Sequence, residues 1–366
     1  MPWRGTRDPY RIWVSEVMLQ QTRVAAVIPF YQKFLKKFPT VGALARARQS
    51  EVLRLWAGLG YYSRARNLHC AAKLMVAKYG GTFPRDAAAA LALPGVGKYT
   101  AAAVLSIAYG QPVAVLDGNV ARVLARVHGL RGELKQHRHW LRLEALAQKY
   151  MDGAVAAGNW ERESGKRGKS PARPGPAQRM AGIWNQALME LGATVCTPRS
   201  PNCPECPVAR WCRARRLGLE AKIPPLRHRP ATVRMTIAAA VFADRRNRIL
   251  LIRPAVGNCA EIFSRMWQFP AVQVQKNARR ELLVYLEDLF DGAARNLQPL
   301  AHTRHAVTYR DIQLIPFLAR LHTLPEAEGA RVVSLQQLDS LPISSATRKI
   351  ARAALEHLRD DARETA

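Results

Sequence analysis

Acidic residues are scarce in this chain: 27 Asp and Glu stand against 56 Lys and Arg, a formal charge of +29. A codon bias towards arginine would raise the cation count but would not thin the acids. The imbalance therefore points to a polyanionic partner, and nucleic acid fits best. Long apolar runs are missing too. The longest, Met235–Ala243 and Ala101–Ala108, fall well short of the roughly 18 residues of a membrane span, so no membrane association is expected. Cysteine is sparse, six in 366 residues, and four of the six crowd between Cys196 and Cys212. That usage suits a reducing compartment and a metal centre rather than a disulfide scaffold. Met1-Pro2-Trp3-Arg4 has no signal-peptide character, and a cytoplasmic, nucleoid-associated bacterial protein is expected. The length is enough for two domains with real cores.

The stretch from Leu93 to Asn119 organises the rest. Asp86 caps a short helix over four alanines to Leu91, Pro94 stops it, and Gly95 and Gly97 form a tight turn. A second helix begins near Lys98 and buries Ala101, Val104, Leu105 and Ala108. Two helices joined this way aim bare backbone N–H groups outward at a helix N-terminus, a geometry that holds one phosphate, with Lys98 adding charge. Beyond Tyr109-Gly110 comes the turn Asp117-Gly118-Asn119. A Gly-Val-Gly turn alone is an ordinary helical hairpin; the following Asp makes that reading much weaker.

Upstream, a helix is expected from Asp8 to Thr22, with Ile12, Trp13, Val17 and Val24 on its apolar side. Glu16 sits among apolar neighbours, where burial would raise its pKa enough to hold a proton. Leu55 to Tyr62 is a Gly-punctuated turn with adjacent aromatics, followed by Arg64 and Arg66; such a pattern suits a wedge into a base stack flanked by phosphate contacts. Trp56 and one of the two tyrosines are expected inside. The chain after Asn119 reads as helical to about Ala157, then as a disordered basic insert over 158–178, then as helix again from Ile183. Cys196, Cys203, Cys206 and Cys212 follow in a C-x6-C-x2-C-x5-C pattern bent by prolines. Zinc and an iron–sulfur cubane are both chemically open to four thiolates. Cys70 and Cys259 stand alone and are expected to be buried. From Val233 the pattern changes to strands at 233–242, 249–252, 300–308 and 312–321, with helices at 280–289 and 345–358, an α/β domain.

Pro2-Trp3-Arg4, Ser15 to Thr22, Gly58 to Tyr62, Leu93 to Gly97, Asp117-Gly118-Asn119 and the four cysteines occur in the order seen in the adenine DNA glycosylase (MutY) family. The chain resembles that family strongly to about residue 215 and more weakly beyond. The resemblance implies an N-terminal all-α helix-hairpin-helix glycosylase region over 1–190 and a 4Fe–4S loop over 191–215. A basic linker over 216–231 and a Nudix-like α/β domain over 232–360 complete it. It implies one 4Fe–4S cluster on the four cysteines. The substrate would be double-stranded DNA carrying A:8-oxoguanine or A:G mispairs, bound by a monomer. Glu16 would protonate the leaving adenine, and Asp117 would stabilise the oxocarbenium-like sugar. Trp3, Arg4 and Gln186 would hold the flipped adenine, while Tyr99 and Asn119 would support Asp117. Leu19, Gln20, Gln21 and Tyr61 would fill the vacated stack, with Gly95, Gly97 and Lys98 on phosphate. The family pattern has a further helix ahead of Pro2, so Trp3 and Arg4 are expected at a frayed terminus. Lesion reading would fall to Thr308 and Tyr309.

Two rival classes share parts of this pattern. A bifunctional endonuclease III-like pyrimidine-lesion glycosylase and lyase would carry a Schiff-base lysine where Tyr99 stands. A non-catalytic DNA-binding module with a structural metal would not need Glu16 and Asp117 together. The segment Arg280-Glu281-Leu282, followed by Val284-Tyr285, lacks the acid pair of a working Nudix box, so no pyrophosphohydrolase is expected. The charge itself yields a test. Duplex affinity should fall steeply and log-linearly with salt concentration; a log–log slope near zero would put the charge away from the DNA.

Overall fold

The computed structural model describes residues 1–163, 176–225, 231–253, 266–290, 296–307, 309–327 and 329–364. They form two compact units, Met1–Ala47 with Ser63–His228, and Arg48–Tyr62 with Arg229–Ala366.

The first unit is helical. Asp8 caps α1 (Pro9–Leu19), its carboxylate accepting from the N–H groups of Tyr10 and Arg11, and Pro9 supplies a preset first turn. The helix stops at Leu19 rather than Thr22, because Gln21 takes a left-handed φ of 57°. Its open C-terminal end is closed by a side chain. Arg64, only 8% exposed, donates to the carbonyls of Val17 and Met18 at 2.9 Å each and of Gln20 at 2.6 Å. Arg64 is therefore spent on α1 and is not the phosphate contact its position beside Tyr61 suggests. Val24 is not on the α1 face either; it opens α2 (Val24–Lys37) and is exposed.

The chain continues through α3 (Val41–Arg46), α4 (Gln49–Trp56) and α5 (Tyr62–Lys78). Trp56 is fully buried, Tyr61 is 41% exposed and Tyr62 is half-buried. Cys70 lies on the solvent face of α5, against expectation, and Cys259 lies outside the described residues. The hairpin is as the sequence predicts: α6 (Ala87–Leu91), capped by Asp86, then α7 (Lys98–Tyr109), closed by Gly110 at φ 69°. Thr100 to Ile107 are buried all round, which makes α7 the central helix. Gly182 lets another helix approach it closely: a Cβ there would stand 3.0 Å from Ile107 Cα.

After the hairpin the helix from Asn119 does not run on to Ala157. Gly129, at φ 64°, ends α8 (Gly118–His128), and α9 starts afresh at His137. Both ends of the basic insert expected over 158–178 are helical. The α9 helix extends through Glu163, α10 (Pro176–Glu190) begins with a proline at its first turn, and 164–175 lie outside the described residues. A π-helical turn, Leu191–Val195, leads into the cysteine loop, and α11 (Arg213–Arg216) closes it. The stretch expected as a linker is folded as far as Pro225. Ile223 is 2% exposed, and its carbonyl takes a hydrogen bond from α8, so it belongs to the first unit's core.

The second unit takes in Arg48–Tyr62 beside the α/β region. Here α4 shares a recess with Trp267, Arg331 and Leu341. The sheet holds seven strands: β1 (Val233–Ala243), β2 (Arg248–Ile252), β3 (Ala271–Val274), β4 (Gln298–Pro299), β5 (Thr303–Val307), β6 (Arg310–Arg320) and β7 (Ala330–Ser334). Strand β1 runs parallel to β6 and antiparallel to β2 and β3. Its alternate residues enter two cores: Ala239, Val241 and Ala243 face the cluster containing Ile350 and Ala354 of α13 (Ser345–Glu364). Ala238, Ala240 and Phe242 face that of Leu282 and Leu286 of α12 (Ala278–Phe290). Glu281 accepts backbone N–H groups from Gln275, Lys276 and Asn277, a local turn brace.

The two hairpin glycines differ, and stability should tell them apart. Gly95 has φ 76°, and a Cβ on it would lie 2.7 Å from Asn67 Cβ; Gly97 has φ −93° and open space around it. Gly95→Ala should cost about 1–3 kcal/mol and Gly97→Ala far less. Urea midpoints of the two variants check this.

Candidate active site and cysteine loop

Two carboxyl groups meet in the first unit. Glu16, on α1, is 6% exposed. Burial raises its pKa; the Tyr99 hydroxyl and the Arg4 guanidinium pull it back, and Asp117 pushes it up further. Tyr99, one residue into α7, donates to Glu16 Oε2 at 2.7 Å, and its oxygen lies 3.1 Å from Met189 Sδ. Burial and the Glu16 charge hold the Tyr99 proton tightly, well above the usual phenol range. Against the expectation that Tyr99 supports Asp117, its hydroxyl is bonded to Glu16.

Asp117 is the N-cap of α8. Its Oδ1 accepts from the N–H groups of Asn119 and Val120 at 2.9 and 2.8 Å, and its Oδ2 accepts from Asn119 Nδ2 at 3.0 Å. The cap thus aligns the carboxylate with the positive end of the helix. Asn119 does support Asp117 as expected. The extended segment leading into this turn is pinned by Asn185, whose Oδ1 accepts from Val115 N and whose Nδ2 donates to Val113 O and Ser106 Oγ.

Behind the turn stands Arg122, 7% exposed. It donates to Asn119 Oδ1 at 3.0 Å, to Gly192 O at 2.7 Å and to Cys196 O at 2.8 Å. The π-helical turn presses on the same residue, since a Cβ on Gly192 would fall 2.7 Å from Asn119 Cβ. One turn along α8, Arg126 donates to Ile223 O, Thr197 O, Pro198 O and Cys196 Sγ. Neither arginine was singled out from the sequence; a cation on a helix ordinarily reads as a solvated face.

The four cysteines of the loop line one cavity together with Arg126 and Glu220. Burial pushes the Cys203 thiol up, and Glu220 and the other three thiols push the same way, so all four approach one another. Four thiols around one cavity, with a buried cation beside them, fit a metal–sulfur centre.

The remaining predicted positions divide. Trp3 is 5% exposed and packs edge-on against Tyr31 at 5.2 Å, so it is core rather than frayed terminus. Arg4 pairs with Glu190 at 3.3 Å, a partner with no sequence signal. Gln186 is half-buried on α10. Leu19 and Gln20 are half-buried, with Gln20 Nε2 3.4 Å from Thr100 Oγ1, and Gln21 is exposed. Gln21 and Tyr61 both hold positive φ, 57° and 46°, a strain that side-chain-bearing residues rarely accept. Lys98 is free to reach outward, held only by an exposed pairing with Glu144 at 3.4 Å. Tyr309 is 43% exposed beside β6, and Thr308 lies outside the described residues.

Residues 14–149 match the HhH-GPD superfamily base excision DNA repair proteins, and residues 196–212 match the iron–sulfur binding domain of endonuclease III. The chain is similar to adenine DNA glycosylase of Homo sapiens, 46% identical over 224 residues, which cover 59% of this chain and 36% of that one. It is similar to adenine DNA glycosylase of Mus musculus, 32% identical over 422 residues, which cover 98% of this chain and 75% of that one. It is also similar to the solved structure of a thermostable thymine-DNA glycosylase, 31% identical, covering 59% of this chain and 88% of that one at a TM-score of 0.47.

A pH experiment follows from the Glu16 geometry. Glu16 must be protonated to act as an acid, and burial keeps it so to higher pH than a free glutamate. Excision should fall as pH rises through that raised pKa. Tyr99→Phe removes a bond that lowers it, so the descending limb of kcat/KM should move to higher pH. Movement to lower pH would contradict the assignment.

Proposed function

We propose a reaction path from one premise: the chain belongs to the adenine DNA glycosylases. The substrate is an adenine paired with 8-oxoguanine, or with guanine, in duplex DNA. The observation that carries this reading is the pair Glu16 and Asp117, close enough for the Asp117 charge to push up the Glu16 pKa, the first buried and bonded to Tyr99, the second braced by three N–H donors.

The hairpin turn at Gly95–Lys98 grips a phosphate through its backbone N–H groups. Gln20, Gln21 and Tyr61 occupy the stack as adenine leaves it, and Trp3, Arg4 and Gln186 border the base pocket. Glu16 donates its proton to N7 of the flipped adenine, so the base departs neutral as the C1′–N9 bond breaks. The Asp117 carboxylate faces the positive charge that develops on the sugar and stabilises it until water adds at C1′. The water's second proton leaves with Glu16 as acceptor, restoring the acid. The product is an abasic site in an intact strand. Tyr99 supplies a hydroxyl where a lyase would need an amine, and that hydroxyl is engaged with Glu16.

Cys196, Cys203, Cys206 and Cys212, which line one cavity, would hold a 4Fe–4S cluster; the match of residues 196–212 to the iron–sulfur binding domain of endonuclease III supports iron over zinc. When bound, the cluster supplies a rigid anionic anchor for Cys196–Cys212. Lesion reading is assigned to Thr308 and Tyr309, the latter exposed just before β6.

Glu16→Gln and Asp117→Asn should each slow adenine release from an A:8-oxoguanine duplex by about 100-fold or more while leaving duplex binding nearly intact. Single-turnover excision and gel-shift titration on the same preparations check both halves. Wild-type release by either variant, or a borohydride-trapped adduct with the native enzyme, would sink the scheme.

A further inference from the structure

Arg126 is 2% exposed, and its guanidinium makes four hydrogen bonds. Nε donates to Ile223 O at 2.7 Å, Nη1 to Thr197 O at 2.7 Å and to Cys196 Sγ at 3.2 Å, and Nη2 to Pro198 O at 3.0 Å. Carbonyls satisfy its hydrogens but not its charge. A buried cation without a counter-charge is costly, and among the described residues no carboxylate forms an ion pair with it. Glu220 borders the same cavity, but its Oε2 is buried with no hydrogen-bond partner of any kind. Among the described residues, the one atom in hydrogen-bond contact with the Arg126 guanidinium that becomes anionic when the centre is loaded is Cys196 Sγ.

We propose that Arg126 is the counter-ion of the iron–sulfur centre: it donates an N–H···S bond to the Cys196 thiolate and thereby sets the cluster's potential and its resistance to oxidation. The assignment rests on the iron–sulfur reading of the loop. Two consequences separate it from a packing role. Donation to a ligand sulfur draws electron density off the iron, as does a fixed positive charge, so both favour the more reduced state. The carbonyl bonds to Thr197 and Pro198 hold the loop but leave the potential alone. Lysine keeps the charge while losing the planar fork that reaches four acceptors at once; glutamine loses the charge and keeps some hydrogen bonding.

The test uses the full chain, purified anaerobically, as wild type, Arg126→Lys and Arg126→Gln. Iron and acid-labile sulfide, visible absorption, the midpoint potential by film voltammetry and the bleaching rate under ferricyanide are read for each. Arg126→Gln should load the cluster yet show a lower potential and bleach about tenfold faster; Arg126→Lys should fall between it and wild type in potential. A loaded Arg126→Gln protein with wild-type potential and bleaching overturns the proposal. Should neither variant load, resonance Raman of the wild-type cluster decides: prolonged exchange into D2O should shift an Fe–S(Cys) stretch, and an unshifted spectrum overturns the N–H···S bond. Wild-type protein without iron would instead refute the iron–sulfur reading beneath it.

Discussion

A single buried guanidinium, that of Arg122, is where three segments distant in sequence are tied together. It holds the Asn119 side chain that braces Asp117, the carbonyl of Gly192 in the π-helical turn, and the carbonyl of the first loop cysteine. Burial weakens its grip on the proton, while Cys196 and Asp117 strengthen it from either side. The position of the Asp117 carboxylate is thus set from behind by the backbone of the cysteine loop. Truncating such a buried, hydrogen-bonded cation strands several carbonyls at once. Gly192 completes the arrangement sterically, because any side chain there would collide with Asn119.

Much of this architecture is legible in the chain, and what is hidden has a common physical cause. The hairpin, the Asp86 cap and the glycine stop of α7 could be read because turns and caps are local: the residues that form them are neighbours in sequence. The same holds for the β1–β2 turn, where the Asp244 carboxylate binds the N–H groups of Arg246 and Arg248. Arg64, Arg122 and Arg126 could not be read. Each looks like a surface cation, and each is buried only because carbonyls from remote segments turn to meet it. The short strands β3 and β4, four and two residues long, carry too little alternation to stand out. The break after α8 was masked by an apolar pattern that resumes in α9, although Gly129 marks it.

The three buried arginines also change how the net charge should be weighed. At 8%, 7% and 2% exposure they cannot lie against a polyanion, so the formal +29 overstates what a duplex meets. Their charge works inward, on helix ends and on the sulfur loop. The surface share remains large: Arg199, Arg210, Arg213, Arg215 and Arg216, all exposed, stand close to the cysteines in sequence. Two exposed residues on the proposed stack, Gln21 and Tyr61, are held in left-handed backbone conformations. Rigid scaffolding behind and strain in front is the distribution expected where a protein must deform its ligand rather than itself.

The contact between Tyr99 and Glu16 has a consequence for symmetry. A free carboxyl group has two equivalent oxygens, and its proton can sit on either. Tyr99 has one hydroxyl hydrogen, and it points at Oε2. A neutral Glu16 that accepts this hydrogen on its carbonyl oxygen, Oε2, carries its own proton on Oε1. The phenol thereby lifts the degeneracy of the acid: the transferable proton is confined to one atom and one lone-pair direction, and half of the orientations a bare carboxyl would sample are removed before the base arrives.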